Sequence, residues 1–152
     1  MKKLQMGDAE QAAFVRLTKG INLFAAIQDV AVMEQILACV GLYEFEAGEK
    51  VFGQGEPGDA FYAVQSGSLK VSVREAFVLS RKLAELKEGD FFGEMALLDS
   101  APRSATVTCV TQAKLFALKR VDFQSAIREN PEFLAQIKRL AADRLFDLKL
   151  DR

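Results

Sequence analysis

The residues whose types and spacing could do chemistry fall in one stretch: Gly89-Asp90-Phe91-Phe92-Gly93-Glu94-Met95-Ala96-Leu97-Leu98-Asp99-Ser100-Ala101-Pro102-Arg103-Ser104-Ala105-Thr106-Val107. Glu94 to Leu98 are good helix formers that open directly after Gly93 and stop before a turn built from Asp99, Ser100 and Pro102. A short helix set among strands presents unpaired backbone N–H groups at its start, which suits an anion. Gly93, with no Cβ, lets a ligand come close to the backbone there. Arg103 adds a planar fork matched to phosphate oxygens. The Glu94 carboxylate can accept hydrogen bonds from sugar hydroxyls. Together these groups describe a holder for a small phosphorylated sugar. The same two charges also have a plainer reading, as a surface ion pair beside a short helix that fills the end of a barrel.

The rest of the composition narrows the chemistry by exclusion. The 152 residues include no histidine. Serine–histidine–acid and cysteine–histidine hydrolases and histidine-ligated metal sites are therefore ruled out, and neither an enzyme nor a metal or cofactor site is expected. Twenty basic residues face 21 acidic ones, for a net charge of −1, so there is no electrostatic footprint for nucleic acid. Half of the chain is hydrophobic, with 12 phenylalanines, enough for one sizeable core and too apolar for disorder. Cys39 and Cys109 lie far apart in apolar neighbourhoods and outside any metal-ligand spacing. Both are expected to be buried, reduced thiols. The opening Met1-Lys2-Lys3-Leu4 has the charge of a signal peptide, but Asp8 and Glu10 interrupt its apolar part. The longest apolar run, Ile36 to Tyr43, is far short of the roughly 18–20 residues of a membrane span. A soluble, cytoplasmic protein with no membrane partner is the expectation.

The elements that must position the constellation follow from periodicity. From Asp8 to Tyr43, apolar residues recur at helical spacing (Phe14, Leu17, Ile21, Phe24, Ile27, then Val32, Ile36, Leu37, Val40), with a break expected near Gly20 and Asn22. From Phe45 to Leu118 the period is two: Leu69, Val71 and Val73 alternate with Ser68, Lys70 and Ser72, and Ala105, Val107 and Cys109 alternate with threonines. Gly48, Gly53, Gly55, Gly58, Gly67, Gly89 and Gly93 punctuate these runs at turn spacing. Several short strands of this kind predict an antiparallel sandwich or barrel. After Arg120 the helical period returns, and Asn130-Pro131 is a good helix start, with Asn as N-cap and Pro at the first helical position. The expected fold is a single α+β domain: an N-terminal helical segment over 1–43, an antiparallel β-roll over 44–118 carrying one short helix, and C-terminal helices over 119–152.

The stretch Phe92-Gly93-Glu94-Met95-Ala96-Leu97-Leu98, followed by Pro102-Arg103-Ser104-Ala105-Thr106-Val107, strongly resembles the phosphate-binding cassette of cyclic nucleotide-binding domains. Gly48-Glu49-Lys50-Val51-Phe52-Gly53-Gln54-Gly55-Glu56 and Asp59-Ala60-Phe61-Tyr62-Ala63-Val64-Gln65-Ser66-Gly67 are similar to the early strands and turns of that family, in the same order. The resemblance runs from about Ile21 onward.

It implies that Arg103 holds the exocyclic oxygens of a cyclic phosphate and that Glu94 accepts from the ribose 2′-hydroxyl. The backbone of Gly93, Met95 and Ser104 would lie near phosphate and sugar, and Val71 and Leu83 would pack against the base. Ser104, directly after the arginine, leans toward cAMP over cGMP. The last helix would supply a lid, but Leu145-Phe146-Asp147-Leu148-Lys149 lacks the threonine–serine pair with which the catabolite activator protein reads adenine. Phe146 or Leu148 would then cap the base by apolar contact. The broad apolar face from Phe133 to Leu148 would fold back on the roll or pair in a homodimer, with Arg144 breaking a strict heptad.

The function implied is a cyclic-nucleotide sensor without an effector domain of its own, passing its signal through C-terminal helix movement to a dimer mate or an effector protein. The alternative is an interaction module of the same fold that no longer binds nucleotide. A barrel enzyme and a DNA-binding protein are disfavoured by the missing histidine and the balanced charge.

Overall fold

The computed structural model describes residues 1–25, 27–75, 79–132, 134, 135 and 139. Among the described residues, nine strands form two antiparallel sheets, and four α-helices of four residues or more pack against one of them. The first sheet has the order β1 (Lys2–Leu4), β2 (Gly41–Phe45), β9 (Ala113–Lys119), β4 (Ala60–Ser66), β7 (Phe91–Phe92). The second runs β3 (Lys50–Phe52), β8 (Thr106–Cys109), β5 (Leu69–Glu75), β6 (Leu79–Leu86). Together with the helices this is the antiparallel β-roll with helical flanks that the two changes of period imply.

The two textures among the strands have a physical cause. Strands β4 and β9 lie between two cores, so both faces are buried and their sequences read as nearly continuous apolar runs. Phe61, Ala63, Phe116 and Leu118 point toward the helices. Val64, Ala113 and Leu115 point into the space between the sheets, where Phe45, Leu69, Val107 and Cys109 meet them. Strands β5 and β8 are covered on one face only, which leaves the clean alternation of Leu69/Lys70/Val71 and Thr106/Val107/Thr108.

The helices are α1 (Asp8–Thr18), α2 (Asn22–Ala25), α3 (Val30–Cys39) and α4 (Arg120–Arg128). The expected break near Gly20 and Asn22 is the gap between α1 and α2. Asp29 caps α3, its carboxylate accepting from the Ala31 N–H at 2.8 Å. The Phe14 ring meets Phe24 and Phe116 edge-on, at 5.8 and 5.5 Å between centroids, and so docks α1 on the sheet. Beyond α4, Pro131 and Glu132 are helical, and the Leu134 N–H donates to the Asn130 carbonyl at 3.0 Å, as an Asn-Pro helix start requires. No described helix is long and apolar enough to cross a membrane.

Three details depart from the sequence reading, the first being that Gly41 to Tyr43, read as part of the helical segment, open strand β2 instead. Met1 to Leu4, with no strand expected, supplies the edge strand β1, paired with β2 through Leu4↔Leu42. Cys39 is exposed, against the expectation of two buried thiols, whereas Cys109 is 1 % exposed. The buried stripe of α3 runs through Val32 and Ile36 to Val40, and Cys39, the last helical residue, falls beside it on the solvent side. Of the apolar face expected from Phe133 to Leu148, Leu134 packs against the helix-side core, while Phe133 and every residue from 140 on, the expected lid Leu145 to Lys149 included, lie outside the described residues.

Candidate functional site

Arg103 is placed by two loops that zip together through their backbones. One links β3 to β4; the other follows a short 3-10 helix, Glu94–Leu97. The Arg103 N–H donates to the Glu56 carbonyl at 2.7 Å, and the Gly55 N–H donates to the Arg103 carbonyl at 2.8 Å. Pro57 and Pro102 form an isolated bridge between the same loops. The Gly58 N–H donates to the Ala101 carbonyl at 3.2 Å, and a Cβ on Gly58 would lie 2.8 Å from that oxygen. Turn residues so far apart in sequence thus have a shared purpose: they aim one side chain.

That side chain is buried, with 9 % of Arg103 exposed. Nη2 donates to the Ala60 carbonyl at 2.8 Å and lies 3.7 Å from Asp59 Oδ1. The guanidinium carbon sits 4.0 Å from the Phe52 ring centroid and 6.0 Å from that of Tyr62. Nε is buried and has no hydrogen-bond partner among the described residues. Burial pulls the guanidinium pKa down from its ordinary value, opposed by Tyr62, Asp59 and Glu56, and Arg120 adds to the lowering. A desolvated cation with an unsatisfied donor is the electrostatic complement of an anion.

Gly93 meets that cation. Its φ of +78° is a left-handed conformation that glycine adopts without strain, and a Cβ there would lie 2.8 Å from Arg103 Nη1. The helix that follows is shorter than the Glu94–Leu98 expected from sequence and is of 3-10 type, with the Ala96 N–H bonded to the Gly93 carbonyl at 3.0 Å. One such turn carries little dipole, so charge for an anion must come chiefly from Arg103. Ala96 and Leu97 anchor this turn in the interior, while Glu94 and Met95 are half-buried. Ser104 is exposed.

Val71 and Leu83 come together by register. Val71 pairs with Val107 of β8 on one side and with Ala84 of β6 on the other. The pairing then steps to Ser72↔Lys82, so Leu83 is the extra residue of a β-bulge opposite Val71, and it is 50 % exposed. The strand that follows the cassette thus adjoins the apolar pair expected at the base.

Sequence reasoning missed Phe52, Asp59, Ala60 and Arg120. Arg120, the first residue of α4, donates through Nη1 to the Gly58 carbonyl, with Ala96 and Asp99 carbonyls at 3.5 Å, and its N–H donates to the Asp59 carbonyl at 2.8 Å. Helix α4 is therefore tied both to the loop that aims Arg103 and to the cassette turn. The available signal was the Gly-Asp pair at 58–59 just before a strand, which marked a turn without naming its partner.

Residues 42–130 match the family model for the cyclic nucleotide-binding domain. The chain is 30% identical over 131 residues to the CRP-like cAMP-activated global transcriptional regulator of Mycobacterium tuberculosis, covering 74% of this chain and 58% of that protein. Among solved structures, the N-terminal domain of a transcriptional regulator from Streptomyces coelicolor A3(2) superposes with a TM-score of 0.74 at 29% identity, over 88% of this chain and 92% of that one. The regulatory domain of Toxoplasma gondii PKA, solved with cAMP, gives 0.71 at 30% identity, over 80% and 46%. The chain thus spans just over half the length of its mycobacterial relative. With the family model covering the roll, the cassette turn and α4, the chain belongs to the cyclic nucleotide-binding domain family.

Proposed function

We propose that this chain binds a cyclic nucleotide, cAMP in preference to cGMP, and acts as a cytoplasmic sensor rather than an enzyme. The observation that carries the reading is the buried Arg103 guanidinium, its Nε without a hydrogen-bond partner among the described residues, set against a glycine that leaves room for it. Arg103 takes the cyclic phosphate, Glu94 takes the ribose hydroxyl, and the backbone at Gly93, Met95 and Ser104 lines phosphate and sugar. Val71 and Leu83 contact the base. The cAMP named in both the mycobacterial regulator and the Toxoplasma complex supports that choice of base. The domain comprises residues 1–152, as helical segment, roll and C-terminal helices.

Output runs through α4. An anion that draws on Arg103 bears on the Gly58–Ala60 loop, and Arg120 carries any shift of that loop to the start of α4. A ligand moves such an element only by binding one of its positions better than the other. The receiver is a dimer mate or an effector protein. No metal or nucleic acid is assigned a part in ligand capture.

Calorimetric titration with cAMP and with cGMP tests the reading. Saturable cAMP binding is expected, with a melting temperature that rises as ligand is added; ligand at about 1,000 times its Kd adds about 4 kcal/mol. Absence of heat and of any thermal shift with either nucleotide would favour an interaction module that keeps the fold without the ligand.

A further inference from the structure

Phe52 ends β3, and its ring lies beneath the Arg103 guanidinium, 4.0 Å from centroid to carbon. The ring is held in turn by two others. Its centroid is 6.0 Å from Tyr62 and 5.8 Å from Phe92, and those two stack on each other at 5.3 Å with 17° between planes. Phe92 directly precedes Gly93, so the same aromatic group supports the cassette turn and the cation that faces it.

The other groups around Arg103 offset its burial only in part. Nη2 has one backbone carbonyl, and the Asp59 carboxylate stands at 3.7 Å with 74% of its side chain exposed to water. Nε has no partner. A screened carboxylate and one carbonyl leave much of a desolvated charge uncompensated, whereas the negative face of an aromatic ring needs no hydration of its own to be stripped. A leucine at 52 would fill similar space without supplying that field.

We infer that Phe52 is a positioning residue for the anion site: its ring face, 4.0 Å from the guanidinium carbon, keeps Arg103 from closing further on Asp59 than the present 3.7 Å, so that the fork is already set when a phosphate arrives. This rests on the cyclic-nucleotide reading above. Without the ring's field, the guanidinium gains by moving toward the Asp59 carboxylate, and a ligand must then pull it back.

Phenylalanines carrying one, two or three ring fluorines, placed site-specifically at position 52, test this, because fluorine drains the face of the ring while nearly preserving its shape. The affinity for cAMP and the melting temperature without ligand are measured across the series. A stepwise loss of affinity is expected, reaching roughly three- to tenfold at three fluorines, with a level melting temperature. Phe52→Leu is expected to weaken binding at least as much as the trifluoro ring. Constant affinity across the series, in a protein that binds cAMP, overturns the role of Phe52 and leaves the proposed function standing. Affinity that falls only in step with the melting temperature overturns it too, as the mark of a packing residue. An unsubstituted protein that takes up neither nucleotide overturns the proposed function itself.

Discussion

A Cβ on Gly93 would lie 2.8 Å from Arg103 Nη1 and 3.0 Å from the Ala60 carbonyl oxygen. Of those two neighbours, the carbonyl is fixed in β4 and the guanidinium is the end of a flexible side chain. Gly93→Ala therefore combines a strained φ of +78° with displacement of the buried Arg103 cation. The strain costs about 1–2 kcal/mol of stability. Nucleotide affinity falls as well, by at least about tenfold, because the fork no longer faces the cassette turn. Paired thermal melts and cAMP titrations separate the two effects.

Arg103→Ala removes the charge that a phosphate would meet, and cAMP binding is expected to weaken by about 2–5 kcal/mol. Stability without ligand changes far less, by about 1 kcal/mol or under, because the lost contacts are offset by relief of a poorly compensated buried cation. Arg103→Lys keeps the charge without the planar fork and stays well below the parent affinity. Equal affinity in the parent and the alanine variant would remove Arg103 from the site.

The parts of this site that were legible in the sequence are the local ones. Gly93, Glu94, Pro102 and Arg103 stand within one short stretch, where turn chemistry and charge can be read directly. The doubly covered β4 and β9 and the singly covered β5 and β8 announced themselves by apolar texture. What could not be read depends on register between distant strands. The Arg103 to Ala60 bond spans 43 positions and the Arg120 to Gly58 bond spans 62. Phe52 sits in a three-residue strand whose pairing with β8 is irregular, so no period marked which way its ring would face. Cys39 looked buried because its neighbours are apolar, yet exposure at a helix end turns on where the helix stops.

Arg120→Ala separates ligand capture from transmission. The substitution removes donors to the Gly58, Ala96 and Asp99 carbonyls but none from the Arg103 fork. Stability is expected to fall by about 1–2 kcal/mol, and affinity for cAMP by less than about threefold. Hydrogen exchange in α4, slowed or quickened by cAMP in the parent, becomes insensitive to the ligand in the variant. A ligand response of α4 that survives the substitution would place the route elsewhere.

The two cysteines differ enough to report on the fold. Cys39 is exposed and reacts with a thiol reagent in the native state, whereas Cys109, 1 % exposed between the sheets, reacts only on unfolding. Burial, with a smaller contribution from Glu49, pushes the Cys109 thiol up to about 11 from an unfolded value of 9.0. The folded protein thus retains a proton that the unfolded chain gives up, so this group leaves stability unchanged below pH 9 and lowers it between pH 9 and 11. The loss approaches about 1.4 kcal/mol per pH unit in that window. Urea unfolding at pH 8, 9 and 10 measures the slope, and Cys109→Ala, compared at the same three values, should be flatter by that amount. An identical slope in the variant would mean that the Cys109 thiol ionises as readily in the folded protein as in the unfolded chain.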